Sequence, residues 1–264
     1  MKHGGIEMDL ARIGRHRLSR SVVPGSLVLV VALAMLAAGC GSRAVALDYD
    51  NSPGKVVVEA SHGGGLPAPW DDEAPAFRLY GDGRVIERGD QFESDLMVEG
   101  SLEEQQVKDL LTKIKDTGFF DLKNEYFNRR IMDGVTSSII VNLKGEQKTV
   151  RVYMMDVKPY DAAWKVIQQY PIPEAKEYVP DKGYLSVSDS SGSQQAAVNI
   201  AELSGLLPDM KTLNGARNEH KAVEISGAAM VNLKKLARDA DSNGLRVVGD
   251  GADLLVYPVY QPRQ

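Results

Sequence analysis

One cysteine occurs in the 264 residues of this chain, and its surroundings favour a specific chemistry. Cys40 follows the unbroken apolar run 27–38, and Ala37, Ala38 and Gly39 come directly before it. A thiol is a nucleophile, so this cysteine can be modified covalently. An exported chain with a single thiol cannot close an internal disulfide, so a lone cysteine indicates modification or pairing with another molecule.

The segment before Cys40 has the composition of a secretory signal peptide. Its first twenty residues carry five basic and two acidic side chains, and the apolar run of twelve residues follows. A basic region, a short apolar region and small residues before a cleavage point are typical of such signals, which predicts removal of residues 1–39. A retained transmembrane helix is the alternative, and it is disfavoured because a span needs roughly 20 apolar residues.

The pentapeptide Leu36-Ala37-Ala38-Gly39-Cys40 resembles the lipobox of bacterial lipoproteins. The resemblance implies that Cys40 receives a diacylglycerol and becomes the first residue of a lipid-anchored protein. Such a protein lies on the extracytoplasmic face of the cell membrane or the outer membrane. Leu36 stands four places before the cysteine, whereas the commonest pattern has it three places before. An ordinary signal cleavage site beside an incidental cysteine is the alternative.

The charge of the chain argues against nucleic acid as a partner. The full chain has a net charge of −5, and removal of residues 1–39 makes it about −8. Such a chain is repelled by phosphate backbones and by anionic head groups, so we expect membrane contact through the acyl chains on Cys40. The other expected partner is an envelope protein or a small ligand of unknown identity.

The stretch Ser61-His62-Gly63-Gly64-Gly65 resembles the oxyanion-hole segment of lipases and esterases. Those enzymes also need a Gly-x-Ser-x-Gly nucleophile elbow, which this sequence lacks. Only His62 and His220 lie beyond the signal segment, so a catalytic triad would have to use one of them. We therefore predict a glycine-rich turn here and no catalytic role for His62.

Residues 239–250 resemble the calcium loop of EF-hands. The resemblance implies oxygen ligands at Asp239, Asp241, Asn243, Leu245 (through its backbone carbonyl) and Asp250. Three features depart from the family: an aspartate at the twelfth place, Arg246 at the eighth, and a predicted strand after the loop. The alternative is a helix that ends in a left-handed Asn243-Gly244 cap. No cofactor is therefore assigned, and weak calcium binding stays a hypothesis.

Most other catalytic chemistries lack the residues that they need. A lipid on Cys40 would block a thiol nucleophile, and the mature chain has too few histidine and cysteine ligands for a usual zinc site. Walker and Rossmann glycine motifs are absent from the sequence. Paired carboxylates for glycoside hydrolysis stay open, because such a pair forms in space rather than in sequence. The acidic stretch Asp71-Asp72-Glu73 is interpreted as a solvated loop.

Hairpins and amphipathic helices must position these residues, and their order predicts an α+β fold. We expect antiparallel hairpins with the helices packed on one face, in two small subdomains. The predicted segments are a signal peptide at 1–39, a lipidated tether at 40–55, a first α+β subdomain at 56–170, a proline-rich linker at 171–180 and a second α+β subdomain at 181–264.

Turn residues predict the strands of both halves. The stretch 77–87 predicts a hairpin around Gly81-Asp82-Gly83, and 135–154 predicts a second hairpin that turns at Lys144-Gly145. A strand at 253–260 is expected at the edge of its sheet because it contains Pro258.

Cap residues and helical spacing predict two of the helices. One is expected over 102–116, capped by Ser101 and ended by Gly118. Another follows Ser226 as its cap. The residues of that helix expected to face inward are Met230, Leu233, Leu236 and Ala237.

The first hairpin, its following helix and the stretch Gly118-Phe119-Phe120-Asp121-Leu122 together resemble an uncharacterised domain of bacterial lipoproteins. The resemblance covers about half of the chain and implies no known activity.

These observations favour a lipid-anchored, extracytoplasmic binding or interaction module of unknown ligand over an enzyme. A cell-envelope hydrolase with paired carboxylates is the first alternative, and a structural or assembly lipoprotein is the second. An exposed aromatic groove would favour the binding module, and two carboxyls roughly 5 to 10 Å apart in a cleft would favour the hydrolase. A flat apolar patch would favour assembly.

Overall fold

Helices and mostly antiparallel strands make up the protein in a computed structural model, which describes residues 45–65, 72, 74–88 and 96–261. Within these residues thirteen strands form an eight-stranded and a five-stranded sheet, accompanied by four α-helices. This content confirms the α+β class. The residues from Val45 onwards belong to one compact unit.

A long strand lies near the middle of the eight-stranded sheet. This strand, β1 (Val56–Gly64), pairs with β2 (Phe77–Tyr80) on one side and with β6 (Val135–Leu143) on the other. The remaining strands are β3 (Arg84–Arg88), β4 (Met97–Ser101), β5 (Glu125–Phe127), β7 (Glu146–Tyr153) and β8 (Lys176–Glu177). The sheet order is β5-β7-β6-β1-β2-β3-β4-β8.

Both predicted hairpins of this sheet are confirmed. β2 and β3 pair antiparallel across the turn that contains Gly83, and β6 and β7 pair antiparallel across Lys144-Gly145. Gly83 and Gly145 have φ angles of 87° and 79°. A side chain would be strained in that left-handed region, so glycine suits both turns.

One face of the eight-stranded sheet packs against two helices, α1 (Glu104–Asp116) and α2 (Lys158–Gln168). The buried residues of α1 are Val107, Leu110, Leu111 and Ile114. Their spacing places them on one side of the helix, and full burial of each such side chain contributes roughly 1.5–3 kcal/mol. They share a core with alternate strand residues such as Val58, Ile139 and Val150.

The predicted helix over 102–116 is confirmed, but its predicted cap is wrong. Glu103 is the N-cap residue, and its backbone N–H donates to Oε1 of Gln106 at 2.8 Å. Ser101 is unavailable as a cap because it is the last residue of β4, where it pairs with Arg84. Gly118, at φ 83°, follows the helix in the left-handed conformation that the sequence predicts.

The five-stranded sheet contains the C-terminal strands. They are β9 (Lys182–Asp189), β10 (Ala197–Asn199), β11 (Val223–Ser226), β12 (Leu245–Gly249) and β13 (Ala252–Val259), in the order β10-β12-β13-β9-β11. The helices of this part are α3 (Met210–Glu219) and α4 (Gly227–Asp239).

Helix α4 begins as predicted, but one of its expected core residues is exposed. Ser226 Oγ accepts the backbone N–H of Ala229 at 3.2 Å. Met230, Leu233 and Ala237 are buried, as expected, whereas Leu236 is 41% exposed. The expectation for Leu236 is wrong because that residue lies about 120° around the helix from Met230.

Strand β13 is an inner strand, so the prediction of an edge strand at 253–260 is wrong. It lies between β12 and β9. Its pairing with β12 ends at Val256, whereas its pairing with β9 continues through Pro258 to Val259. The missing N–H of Pro258 is tolerated because β12 no longer flanks the strand at that point.

A buried acidic residue connects parts of the chain that are distant in sequence. Asp72 Oδ2 lies 3.3 Å from Lys234 Nζ, and the Asp72 carboxylate also accepts the backbone N–H groups of Ala74, Tyr260 and Gln261. The interpretation of Asp72 as part of a solvated loop is therefore wrong. Its predicted companions Asp71 and Glu73 lie outside the described residues.

Two segments predicted as tether and linker contact the folded body. Within the predicted tether, Tyr49 is only 7% exposed, and Asp48 O accepts the backbone N–H of Lys144 at 2.7 Å. Within the predicted linker, β8 pairs with β4, and Tyr178 N–H donates to Met97 O at 2.8 Å. Residues 45–50 thus belong to the body, while the division into two subdomains stays a prediction.

Candidate functional site

Polar side chains cross the face of the eight-stranded sheet that lies opposite α1 and α2. Arg151 on β7 is directly opposite Ser138 on β6, which is directly opposite Ser61 on β1. Directly opposed residues of neighbouring strands present their side chains on the same face, so these three form one row. The hydroxyl oxygens of Ser61 and Ser138 are 2.8 Å apart and share a hydrogen bond.

A cavity of about 270 Å³ lies over this row, and we call it the open-face cavity. Besides the row itself, its lining includes Glu59, Gly63, Arg78, Thr136 and Gln261. The lining residues come from four adjacent strands and from the end of the described chain. The cavity therefore exists only once the sheet is assembled.

Arg78 and Glu59 form an ion pair at one side of the cavity. Nε of Arg78 donates to Oε2 of Glu59 at 2.7 Å, and the two side chains are 28% and 21% exposed. Burial alone would lower the pKa of Arg78, but hydrogen bonds to Tyr80 and Glu59 outweigh it and raise that pKa. The charge of Arg78 is thus compensated within the protein.

Arg151 supplies a second positive charge to the cavity, and Glu125 lies directly opposite it in the ladder between β5 and β7. The side chain of Arg151 is exposed, and its guanidinium contacts no acceptor among the residues that the structure describes. A guanidinium presents five N–H donors in a planar fork that fits a carboxylate or a phosphate. The guanidinium of Arg151 therefore has donors available to a ligand that enters the cavity, while the neighbouring carboxylate of Glu125 offsets part of its charge.

The cavity opens where β1 and β2 separate. The pairing of β1 with β2 ends at Ala60 and Phe77, while its pairing with β6 continues to Gly64. Gly63 lies in the part of β1 that pairs with β6 but not with β2, and it lines the cavity. A Cβ atom added there would meet no heavy atom within 4 Å, so the floor of the cavity has open space above it.

A smaller hollow of about 100 Å³ adjoins the cavity and shares Pro75, Arg78 and Gln261 with it. Three tyrosines contribute to its lining, namely Tyr80, Tyr178 and Tyr260, and we call it the tyrosine hollow. The rings of Tyr178 and Tyr260 are stacked with centroids 6.1 Å apart. Burial raises the pKa of Tyr260 to about 12, and its hydroxyl accepts the backbone N–H of Met97 at 3.0 Å.

His62 also lines the open-face cavity, but the alternation of side chains along β1 places its ring on the other face of the sheet, towards α2. Its Nδ1 is 3.1 Å from Oγ of Ser137, and its ring packs on Trp164 with centroids 4.3 Å apart. Loss of solvent around the ring lowers the pKa of His62, and the charge of Arg88 lowers it further. A serine therefore does contact His62, although it lies within strand β6 and not on the strand-to-helix turn that an elbow requires.

The predicted glycine-rich turn at 61–65 is wrong over most of its length, since residues 61–64 continue β1. Their pairing with β6 explains the difference, because four consecutive residues face Ser138 through Val135 across the ladder. The absence of a catalytic role for His62 stays a prediction.

The residues of the EF-hand resemblance are not brought around one point. Asp239 ends α4, Leu245 begins β12, and Asp250 occupies the turn between β12 and β13. A five-residue strand spans roughly 16 Å, which separates Asp250 from the other candidate ligands. In the described part of the chain, no group of three or more His, Cys, Asp or Glu residues is arranged to hold a metal ion.

The alternative interpretation of that loop is a helix that ends in a left-handed cap at Asn243-Gly244. A residue in the left-handed conformation does follow α4, but it is a different residue. Asp241, at φ 52°, adopts the left-handed conformation expected at Asn243-Gly244. Its backbone N–H donates to Arg238 O at 2.8 Å, and the N–H of Ser242 donates to Ala237 O at 2.9 Å. These bonds satisfy carbonyls at the end of α4.

A group of large apolar side chains is exposed near the ends of β5, β6 and β7. The group consists of Phe127, Ile131, Met132, Val135, Met154 and Met155. Met132 is the most exposed, at 84%, and the ring of Phe127 stacks on Tyr153 at 4.4 Å. Nothing among the described residues shows what would cover this surface, so no function is assigned to it.

Cys40 and the predicted signal peptide lie outside the described residues, so lipid attachment stays a prediction. Among the helices that are described, none has the length and apolar character needed to cross a membrane.

Sequence reasoning missed the open-face cavity. One signal was present, since Thr136, Ser137 and Ser138 form a polar run inside a strand that is otherwise apolar towards its end. The partners of that run could not be found from sequence because Ser61 and Ser138 are 77 residues apart.

Comparison with curated proteins and with solved structures found no match. A family model does match part of the chain, and it covers Arg78, Ser138 and Arg151 of the open-face cavity but neither Ser61 nor Gln261. The match confirms the expected resemblance to an uncharacterised domain, while the connection of that domain with lipoproteins stays a prediction. Residues 75–169 match the family model DUF6438, which is described as a domain of unknown function.

Proposed function

We propose that this protein is a lipid-anchored binding module of the bacterial cell envelope and that it holds a small ligand in the open-face cavity. The observation that supports a binding role is a concave space of about 270 Å³ in which polar side chains from four adjacent strands converge, among them a guanidinium, that of Arg151, with no hydrogen-bond acceptor among the described residues. Ligand sites are concave and present a few convergent polar groups, and this cavity with its tyrosine hollow has that character.

The anchor in this proposal is a lipid on Cys40, supported by the lipobox-like pentapeptide after a short apolar run. Intact-mass measurement of the protein purified from its own membrane tests it. We expect a chain that begins at Cys40 and carries a mass increment for acyl chains. An unmodified Cys40, or a chain that retains residues 27–38, would contradict the anchor and leave the binding role to be tested separately.

The binding role is tested by filling the cavity. Gly63→Leu places a side chain in the open space over Gly63 and should leave the fold intact. Gly215→Leu is the matched control, because a Cβ at Gly215 on α3 also meets no heavy atom within 4 Å and the residue lies outside the cavity. The three proteins are incubated with a small-molecule extract of the envelope, and retained compounds are identified by mass spectrometry.

We expect the wild type and Gly215→Leu to retain the same compound and Gly63→Leu to lose it at least tenfold. Equal retention by Gly63→Leu would contradict the proposed site. Retention of nothing by the wild type, with added extract at millimolar solute, would contradict the binding role itself.

The hydrolase alternative concerns a different cavity. Among the described residues, the open-face cavity is lined by one carboxylate, that of Glu59, which is paired with Arg78. A cavity of about 510 Å³ is instead lined by Asp82, Glu99 and Glu174. Release of sugar from purified envelope glycan by the wild type, lost in Glu99→Gln, would favour this alternative. The absence of any release would count against it.

A further inference from the structure

We infer that the ligand of the open-face cavity is a neutral saccharide, held by hydrogen bonds to the polar lining and packed on the aromatic pair of Phe127 and Tyr153. This inference rests on the proposed binding function and adds the chemical class of the ligand.

The charges around the cavity favour a ligand without net charge. Arg78 and Glu59 form an ion pair. Glu125 lies directly opposite Arg151 in the ladder between β5 and β7, so a carboxylate also neighbours the second guanidinium. A ligand with a net charge of either sign would therefore meet a group of its own sign close to the group that attracts it, which lowers its affinity. A neutral ligand avoids this repulsion.

The lining offers hydrogen-bond donors and acceptors in the mixture that sugar hydroxyls need. A hydroxyl group donates one hydrogen bond and accepts up to two, so a ligand with many hydroxyls needs both kinds of partner. The guanidinium of Arg151 supplies donors, and the carboxylate of Glu59 supplies acceptors. The hydroxyls of Ser61, Ser138 and Thr136 supply both. Those of Ser61 and Ser138 share one hydrogen bond and keep the capacity for others.

An aromatic pair lies next to the cavity on the same face of the sheet. Tyr153 is directly opposite Thr136, which lines the cavity, and it lies two residues beyond Arg151 on β7. Phe127 is directly opposite Tyr153 on β5, and the two rings stack with centroids 4.4 Å apart and an interplanar angle of 11°. Of the exposed apolar group, only Phe127 belongs to this pair. It is 52% exposed, so the pair presents aromatic surface to solvent.

Such a surface fits the less polar side of a sugar ring. The face of an aromatic ring carries partial negative charge, which attracts the C–H groups on that side of the sugar. Tyr153 is one strand across and two residues along from Ser138, a separation of roughly 8 Å between backbones. A ligand of one or two sugar rings can therefore contact the aromatic pair and the serine hydroxyls together.

The inference is tested by ligand-observed NMR on the full-length protein with two neutral disaccharides, cellobiose and N,N′-diacetylchitobiose. Each is compared with a charged counterpart that has the same two rings. The anionic counterpart of cellobiose is cellobiouronic acid, and the cationic counterpart of N,N′-diacetylchitobiose is chitobiose.

Two substitutions, each with a matched control, test the contacts. Phe127→Leu removes the outer aromatic ring but keeps an apolar side chain, and Phe127→Tyr keeps the ring. Arg151→Gln removes the guanidinium, and Arg130→Gln is its control because Arg130 is exposed and does not line the cavity.

We expect saturable binding of at least one neutral disaccharide, and binding of its charged counterpart at least tenfold weaker. Affinity for the neutral disaccharide should fall at least tenfold in Arg151→Gln and at least threefold in Phe127→Leu. Phe127→Tyr and Arg130→Gln should bind like the wild type. Each tenfold change corresponds to about 1.4 kcal/mol.

Three results would overturn the inference. They are no saturable binding of either neutral disaccharide, equal or tighter binding of the charged counterpart, and unchanged affinity in either Phe127→Leu or Arg151→Gln. In each case an envelope compound that the wild type retains and Gly63→Leu loses, and that is not a neutral saccharide, would still support the proposed function. The two failures are therefore distinguishable.

Discussion

Lys234 Nζ lies 3.3 Å from Asp72 Oδ2, and the two side chains are only 6% and 4% exposed. The same carboxylate accepts the backbone N–H groups of Tyr260 and Gln261 at 2.9 and 3.0 Å. Tyr260 lines the tyrosine hollow, and Gln261 lines both the hollow and the open-face cavity. The buried ion pair therefore positions residues of the candidate site as well as contributing to the fold.

Asp72→Asn should lower the free energy of unfolding by about 3–5 kcal/mol. The substitution keeps the shape of the side chain but leaves the buried Lys234 ammonium without the charge of Asp72. It also weakens three backbone hydrogen bonds to a charged acceptor, those donated by Ala74, Tyr260 and Gln261. Urea denaturation followed by circular dichroism measures the change.

The exposed pair Lys221–Glu219 is the control for charge removal, because its side chains are 74% and 63% exposed. Glu219→Gln should lower the free energy of unfolding by less than about 1 kcal/mol. A combined Asp72→Asn, Lys234→Met protein should recover part of the loss, since no buried charge is then uncompensated. A loss below about 1 kcal/mol in Asp72→Asn would show that the pair does not stabilise the fold.

Local signals were sufficient for most elements of this fold. The Gly81-Asp82-Gly83 and Lys144-Gly145 turns predicted both hairpins, and apolar spacing with Gly118 predicted α1. Errors occurred where a long-range contact decided the outcome. Ser101 is held in β4 by Arg84, and β12 and β9 determine the position of Pro258.

The candidate site could not be predicted because its parts meet only in the assembled sheet. Arg151, Ser138 and Ser61 lie on three strands. Only Ser61 belongs to a motif-like stretch, and the resemblance of that stretch to an oxyanion-hole segment does not indicate Ser138 or Arg151 as its neighbours. The acidic composition around Asp72 is typical of a solvated loop. Its burial depends on Lys234, which lies more than one hundred and fifty residues further along the chain.

His62→Ala should leave any esterase activity unchanged, although His62 contacts Ser137. Ser137 lies inside a strand, and no carboxylate among the described residues is bonded to the ring of His62 to hold it as a base. The measurement is hydrolysis of p-nitrophenyl acetate by wild type and variant. His220→Ala is the control for loss of an exposed histidine. Activity in the wild type that His62→Ala and Ser137→Ala both abolish would show that the pair is catalytic.

Limited proteolysis should cut the loop 190–196 before the stretch 171–180. Composition alone predicts early cleavage both in the proline-rich stretch 171–180 and in the polar stretch 188–195. In the structure, however, β8 and the Tyr178–Met97 hydrogen bond attach 171–180 to β4. The loop 190–196 has no strand partner at its exposed residues, such as Ser191 and Gly192. A protease of broad specificity is needed because the loop contains no lysine or arginine.

The fragments are identified by mass spectrometry, with α1 as an internal control that should survive intact. First cleavage within 171–180 would mean that the contacts of β8 do not protect that stretch. First cleavage within 104–116 would contradict the burial of α1.

The carboxyl of Glu87 should cause the free energy of unfolding to fall as the pH rises from about 4.5 to about 7. Burial raises the pKa of its carboxyl to about 7 in the folded protein, from an ordinary value of 4.5. Between these values the folded state holds the proton more tightly than the unfolded state, so deprotonation favours unfolding. Glu87 is partly exposed beside Phe77 and Val98, and solvent screening reduces the effect to about 1–3 kcal/mol.

Glu87→Gln tests this because the amide that it introduces stays neutral at every pH. The difference in free energy of unfolding between variant and wild type should be constant below about pH 4.5 and shift by about 1–3 kcal/mol in favour of the variant between about pH 4.5 and 8. Glu125→Gln, at an exposed position of β5, measures the effect of removing one surface charge. Parallel curves of the free energy of unfolding against pH for the wild type and Glu87→Gln would mean that the carboxyl of Glu87 titrates equally in the folded and unfolded states. Its burial would then not oppose ionisation.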